Sequence, residues 1–433
     1  MAEDRIPGVS IAFVDQGAIA WKKTYGYANL ATLERVNDQT VFTGASLSKS
    51  LTAMAALCLV EQGMLDLDED VNIKLQGWQV PDNEFTKNEK VTLRRLISHR
   101  AGIKNILWSS FAPDEVVPTL EQMLAGQAPS TEPPVSLEAV PGEEEKYSNP
   151  GYSIVQKLLN DVSGERFEDL LDRLVLKPSG MVDSSFEQPM PKRLKARRAI
   201  GYDSRLKPYS YKLFPYKAAG GVWTTPTDIA NFMIALFKDY EGREIMLTKA
   251  MMAQVFSRNP ERLGFSKIFQ DGSEDLVFRH YGSNQGFTCY MVGSLQHKQA
   301  VIIMTNSDNG FNLLDYIARA VAEYCGWDYL KPTEYPPIEL AAETMAKYCG
   351  SFDHDSGKLT FDVTDKALWV ASESTGERMK LTPVGERKFI DPANAMTYEF
   401  FRNRTGEIKY YKWARVIEPA GREYWAPKLA QQP

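Results

Sequence analysis

The chain has 433 residues, with 50 Lys and Arg against 56 Asp and Glu, a formal charge of −6. Hydrophobic residues at 43% and charged residues at 24% match ordinary globular chains, which excludes disordered and fibrous classes. No basic run is present to meet a phosphate backbone, so nucleic acid is excluded as an expected partner, and no run reaches the ~18 apolar residues of a membrane span. Met1-Ala2-Glu3-Asp4-Arg5 carries no signal-peptide pattern. The expectation is a soluble protein, cytoplasmic as written, or periplasmic or secreted if an upstream segment has been removed. Cys58, Cys289, Cys325 and Cys349 have apolar or aromatic neighbours and read as buried free thiols. His99, His280, His297 and His354 lack ligand spacing, so neither a metal nor a cofactor is expected.

In chain order, Val9 to Val14 and Ala20 to Tyr27 predict an opening hairpin around Asp15-Gln16-Gly17. From Ser50 to Gly63 the sequence is apolar nearly all round, which predicts a helix inside the core. Further helices are predicted over Asn149 to Val162, Phe167 to Val175 and Thr227 to Phe237, the last opened by Thr225-Pro226-Thr227-Asp228. Strand character returns at Tyr290 to Gly293 and Ala300 to Asn306, followed by an amphipathic helix over Leu313 to Tyr324. Pro332, Pro336 and Pro337 then predict a linker over 331–340, since Pro-Pro continues neither helix nor central strand. This divides the chain into domains 1–330 and 341–433. In the second, Leu359 to Val363 alternates with period two. Short strands follow at Leu368 to Ala371, Met379 to Pro383, Tyr398 to Arg402 and Ile408 to Val416, with turns at Gly357, Gly376, Gly385 and Gly406. That pattern predicts a small antiparallel meander or barrel.

Three short motifs carry chemistry. Ser46-Leu47-Ser48-Lys49 stands at the mouth of the buried helix, and i,i+3 spacing places Lys49 one turn from the Ser46 hydroxyl. A neutral lysine there can take the serine proton. Tyr147-Ser148-Asn149 precedes a helix opened by Pro150: Tyr147 can serve as base or proton shuttle, and Asn149 can orient the lysine and a substrate carbonyl. His280-Tyr281-Gly282 precedes a turn, and an edge strand there would leave the Ser283 N–H to complete an oxyanion hole with that of Ser46. Alone, each motif has a plainer reading: Ser46 as a helix cap, Lys49 as a solvated first-turn residue, Tyr147 as packing, His280 as a structural histidine. His99 reads as a hydrogen-bonding core residue. Decoys make the point, since Ser204-Arg205-Leu206-Lys207 and Tyr27-Ala28-Asn29 repeat two of the spacings. Pro208 ends the first without a helix, and the second falls in the opening hairpin. Context separates the pairs.

The ordered set resembles the serine β-lactamase and penicillin-binding-protein superfamily, and within it the class C β-lactamase-like branch of family VIII carboxylesterases, D-Ala-D-Ala carboxypeptidases and D-aminopeptidases. Ile6-Pro7-Gly8-Val9-Ser10, Leu96 to Gly102, Ser148 to Tyr152, Lys177 to Met181 and Gly220 to Thr225 are similar to landmarks of that branch and spread the likeness over most of 6–310. The resemblance implies an α+β fold: an antiparallel sheet covered by helices, an all-helical subdomain between about Ser46 and Gly220, and a lipocalin-like barrel at the C-terminus. It implies Ser46 as acylated nucleophile and Lys49 with Tyr147 as the proton-transfer pair. Asn149, His280, Gly282 and Ser283 would bind substrate, and the Ser46 and Ser283 N–H groups would form the oxyanion hole. The expected protein is a serine hydrolase acting on an ester or a D-amino-acid-type amide, with an oligomer permitted. A weak β-lactamase or a non-catalytic penicillin-binding protein of the same fold is the alternative. His280 stands where true β-lactamases carry the Lys of Lys-Thr-Gly, and a neutral imidazole is a poorer partner for a lactam carboxylate. The branch's usual helix before Ile6-Pro7-Gly8 has no counterpart, because the chain starts almost at once.

Overall fold

Alternation in the first thirty residues folds back on itself. β1 (Gly8–Asp15) pairs antiparallel with β2 (Ala18–Asn29) through Gln16 and Gly17, both at positive φ, as the twist of a tight hairpin requires. In the computed structural model, residues 1, 5–258, 261, 263–269, 275–327, 330, 335–354, 357–373, 376–391, 396–402, 407–415 and 424–427 are described. The chain divides into two compact units, Met1–Ile317 and Ala318–Pro433. The division falls inside a helix (Phe311–Cys325), ahead of the segment read as a linker, part of which lies outside the described residues.

In the first unit, β3 (Glu34–Arg35) extends the hairpin, while β4 (Phe42–Thr43) and β5 (Trp223–Thr224) form a separate pair. β6 (Ser266–Phe269), β7 (Leu276–Asn284), β8 (Phe287–Ser294) and β9 (Gln299–Thr305) return from the far end of the unit. β9 pairs with β1, giving one antiparallel sheet in the order β3-β2-β1-β9-β8-β7-β6. β1, β8 and β9 are buried along nearly their whole length, because helices cover the sheet.

Between β4 and β5 the chain is helical: α1 (Leu47–Glu61), α2 (Leu93–Ile97), α3 (Leu120–Ala125), α4 (Asn149–Ser163), α5 (Phe167–Leu171), α6 (Lys192–Lys195) and α7 (Lys217–Gly220). α8 (Pro226–Glu241) packs on β1 and β9, α9 (Lys249–Val255) packs on α8, and α10 (Phe311–Cys325) follows the sheet. The α+β class and the helical insert follow the expectation. α1 is longer than predicted, starting directly after Ser46, and its residues 47–59 are all buried.

After the end of α10, the second unit carries α11 (Ala342–Ala346), and the regular elements that follow among the described residues are strands. β10 (Gly350–His354), β11 (Gly357–Thr364), β12 (Ala367–Ser372) and β13 (Arg378–Lys380) form one antiparallel sheet. β14 (Thr382–Gly385), β15 (Lys388–Asp391), β16 (Met396–Arg402), β17 (Ile408–Arg415) and β18 (Tyr424–Pro427) form another. The antiparallel character is as expected, but the described ladders run as two sheets and not as one closed barrel. The strand expected over Met379 to Pro383 is divided between them: Leu381 is buried, and its N–H leaves the strand line to bond Leu368 O. β10, β15 and β18 had no clear alternation to announce them. Gly406, one of the expected turn residues, lies outside the described residues. Phe352, Phe361, Phe400 and Tyr411 meet edge to face in the core of this unit.

Two of the four cysteines are buried and two are half-exposed, which corrects the uniform expectation. Cys325 ends α10 and Cys349 precedes β10, where coverage is incomplete. Burial pushes the Cys58 thiol up to about 12, and it raises the Cys289 thiol further. Iodoacetamide mapping of the native protein at pH 8 should therefore leave Cys58 and Cys289 unmodified and alkylate them only after denaturation. Modification of Cys289 in the native state would contradict its packing. A second expectation concerns Gly26, at φ +77°, where an added Cβ would lie 2.0 Å from Pro7 O. Gly26→Ala should lower unfolding stability by about 2–3 kcal/mol in urea titrations. Gly17→Ala, with the same sign of φ but no atom closer than 4.0 Å, should lose only about 1 kcal/mol.

Candidate active site

Three hydroxyls and one amine lie on the otherwise apolar α1, and each must find a partner inside the protein. Ser48 Oγ accepts from Val222 N (3.0 Å), Ser50 Oγ donates to Gly264 O (2.6 Å) and Thr52 Oγ1 donates to Ala218 O (3.3 Å). Lys49, with 0% exposure, donates from Nζ to Ala219 O (2.6 Å), Asn149 Oδ1 (2.8 Å) and Ser46 Oγ (3.2 Å). Every residue from 41 to 59 is buried except Ser46. The helix therefore presents one hydroxyl at its mouth and holds a lysine beneath it.

Ser46 is not a helix cap. It has helical φ and ψ and its side chain caps nothing. Its Oγ instead accepts from Tyr147 OH at 2.9 Å as well as from Lys49. Tyr147 also lies face-on to the amine, with Lys49 Nζ 4.8 Å from its ring centroid. Asn149 begins α4, and Ser148 is the real cap there, accepting from Gly151 N at 3.1 Å ahead of Pro150 at the first turn. Ser46, Lys49, Tyr147 and Asn149 thus meet in one network.

Residues beyond the motifs hold it. His99 Nδ1 accepts from Ser148 N at 3.2 Å, its carbonyl accepts from Lys146 N, and its ring packs 4.4 Å from that of Tyr147. Accepting at Nδ1 puts the ring proton of the neutral imidazole on Nε2. The hydrogen-bonding core role expected for His99 is what it has, and Tyr147 is what it supports. Asn105 Oδ1 accepts from Asn149 N at 3.0 Å. Tyr152 backs the site, donating to Ile97 O at 2.9 Å, and burial holds its phenol well above the usual range. The carbonyl of Ala219 escapes sequence reasoning because it brings no side-chain chemistry. Asn105 sits in a loop with no motif around it.

β7 supplies the third wall. β6 covers it only as far as Arg279, so His280 to Asn284 form an open edge. Antiparallel pairs alternate between bonded and non-bonded, and Asn284–Phe287 closes the turn. Ser283, opposite Thr288, is then in a non-bonded pair, and its N–H points away from β8. Gly282 lies against the Ser46 backbone: an added Cβ would stand 3.1 Å from Ser46 N and 2.8 Å from Gly44 O. The Ser46 N–H itself donates to no acceptor among the described residues. His280 is buried two residues up the same strand face, with Nδ1 2.6 Å from Tyr281 O. Asn284, which sequence reasoning missed, donates to Thr43 Oγ1 and Gly220 O at 3.0 Å each and pins the edge to the segment before Ser46. Both decoys stand elsewhere. Arg205 and Lys207 donate their backbone N–H groups to Asp203 in a turn, and Tyr27 belongs to β2. Among the described residues no helix is long and apolar enough to cross a membrane.

Comparison with known proteins bears on the family and the fold. Penicillin-binding protein 4* of Bacillus subtilis (strain 168) is 23% identical over 425 residues, covering 90% of this chain and 89% of that protein. Protein flp of Staphylococcus aureus (strain N315) is 24% identical over 324 residues, covering 72% of this chain, which spans 62% of that longer protein. Among solved structures, the octameric penicillin-binding protein homologue from Pyrococcus abyssi superposes with a TM-score of 0.66 at 23% identity, over 98% of this chain and 97% of that one. SurE, solved alone and with D-Leu, superposes with a TM-score of 0.65 at 21% identity, over 99% and 96%. The family model described as Beta-lactamase matches residues 1–325, three quarters of the sequence, and the chain belongs to that family.

Proposed function

We propose that the protein is a serine hydrolase that forms an acyl-enzyme on Ser46 and cleaves an ester or a D-amino-acid-type amide. The observation that carries this reading is the convergence of Lys49 Nζ and Tyr147 OH on Ser46 Oγ, at 3.2 and 2.9 Å, one from α1 and the other from the segment leading into α4. Hydrogen-bond reach between nucleophile and base is the first requirement of covalent catalysis, and here two candidate bases meet it.

The reaction follows from the groups present. Ser46 Oγ attacks the substrate carbonyl carbon and its proton passes to the Lys49–Tyr147 pair. The resulting oxyanion lies between the N–H groups of Ser46 and Ser283, donors already fixed by α1 and β7. Collapse breaks the bond to the leaving oxygen or nitrogen, which takes the proton from the pair and leaves the acyl group on Ser46. Water repeats the sequence in reverse roles and frees Ser46. Asn149 holds Lys49 while offering its amide to the substrate, and Gly282 keeps the edge strand close enough for Ser283 to serve. His280, on the same face, contributes to the substrate wall.

Incubation with a fluorescent fluorophosphonate or penicillin, followed by peptide mapping, should mark Ser46. Ser46→Ala should abolish both label and turnover, by up to ~10⁶-fold where catalytic groups act as a unit. Ser204→Ala should be near neutral, and equal losses from both would remove the assignment. Lys49→Ala and Tyr147→Phe should each lower kcat by several orders of magnitude on p-nitrophenyl esters, with the double variant losing little more. Multiplicative losses would show that the two residues do not share one proton-transfer task.

A further inference from the structure

Where the open edge of β7 ends, a second feature begins. Asn284 is the last residue of the edge, and Gln285, the next, lines a slot whose other walls include Thr43, three residues before Ser46. The slot is narrow, and the empty space of about 390 Å³ at it includes open solvent. Trp223, Phe287 and Tyr211 make it aromatic, and Arg198 and Lys212 make it cationic. None of its lining residues is a carboxylate.

Arg198 is the unusual member. Its guanidinium carbon lies 4.8 Å from the ring centroid of Tyr211, and it forms no hydrogen bond or ion pair among the described residues. The other arginines around it are satisfied. Arg197 is paired with Asp183, while Arg193 donates to Val182 O and Ser184 O. Desolvation lowers the Arg198 pKa from its ordinary value, and Tyr211 opposes this only in part. The acid at this end of the unit is already engaged, since Asp308 accepts from Tyr209 OH (2.9 Å) and Gly286 N (2.6 Å). The Trp223 indole N–H likewise has no acceptor among the described residues. A half-buried guanidinium fork without an anion, beside a second cation and aromatic faces, is arranged for a carboxylate carried on an apolar chain.

We propose that Arg198 is a specificity residue, binding a carboxylate at the far end of the substrate's acyl chain. The inference rests on the serine-hydrolase reading, because it takes the β7 edge as the line along which the acyl chain runs to Gln285 and the slot. The two cations then select anionic acyl groups over neutral ones of the same length, while the chemistry at Ser46 is common to both. His280, at the opposite end of the edge, then lies on the leaving side.

The test compares p-nitrophenyl hemiesters of glutaric, adipic and suberic acid with neutral p-nitrophenyl esters of matching chain length. In the unaltered protein, one length should give the largest anionic-to-neutral ratio of kcat/KM. Arg198→Gln should lower that ratio about 10-fold or more, chiefly through KM of the hemiester, and Arg198→Lys should restore part of it. Ratios unchanged at every length would overturn the proposal. Calorimetric titration with the methyl ketones 6-oxoheptanoate and 8-oxononanoate, which have the same chains but no ester to cleave, reads the slot without turnover. Binding at least about 10-fold tighter to the unaltered protein than to Arg198→Gln supports the slot, and equal affinity or no binding overturns it. Fluorophosphonate labelling of Ser46 in the same samples keeps the two readings apart: an unlabelled Ser46 counts against the hydrolase, whatever the titration shows.

Discussion

The constraint on which the rest of the structure depends is the burial of Lys49. A lysine amine taken out of water is costly unless acceptors surround it. Here three neutral oxygens accept from Nζ, and they come from three parts of the chain: Ser46 on α1, Asn149 on α4 and Ala219 on α7. The amine cannot be satisfied unless the helical insert has closed around α1. Folding and the assembly of the site are therefore coupled at one atom, because the geometry that satisfies Lys49 is also what brings Tyr147 and Asn149 to Ser46.

The same logic fixes α1 in the sheet-facing direction. Ser48, Ser50 and Thr52 bond main-chain groups of 218–222 and 264, segments that lead to α8 and to β6. Each bond is worth only about 1 kcal/mol net, but leaving any of these groups unpaired inside an apolar layer costs about 1–3 kcal/mol. Hydroxyls on a buried helix thus act as position markers. α7 is held in turn by Gln156 Oε1, which accepts from Ala218 N, and by the Lys217–Glu168 ion pair. The Ala219 carbonyl is fixed from both sides.

How much of this was legible in the sequence varies with the kind of signal. α1 was legible from its uninterrupted apolar run, and Ser46 and Lys49 from their place at its mouth. Tyr147 and Asn149 were legible because Pro150 announces a helix start. The roles of Ala219 and Asn105 were not, since one gives a main-chain carbonyl and the other a single amide in an irregular loop. His99 was read as a hydrogen-bonding core residue, but nothing in spacing shows that its ring lies under Tyr147 across 48 residues of chain. In the second unit, period-two alternation located β11, β12, β16 and β17. The boundary between β13 and β14 was hidden, because Leu381 is apolar in a run that already reads as strand and only its N–H changes partner. Pairing into two sheets is a long-range property that alternation does not encode.

Two of the left-handed non-glycine residues of the first unit stand beside the site. Ala45 has φ +43° and His99 φ +59°, left-handed values that cost L residues of order 1–3 kcal/mol each. Ala45 directly precedes Ser46, and its N–H is tied to Thr43 Oγ1 at 3.2 Å within fully buried surroundings. The left-handed residue turns the chain sharply into α1, so Ser46 takes up helical angles at once while its N–H stays outside the helix ladder and lies against Gly282. Without that turn the first helical N–H groups would continue along the helix axis, away from the β7 edge. His99 plays the matching part across the site: its left-handed turn brings the ring beneath Tyr147 while its carbonyl still receives Lys146 N. Both strained residues are held by hydrogen bonds to the segments they position. The cost is local, and the surrounding core of α1, α2 and α4 sustains it. What the strain secures is the meeting of Lys49 Nζ and Tyr147 OH at Ser46 Oγ, with the Ser46 N–H beside Gly282.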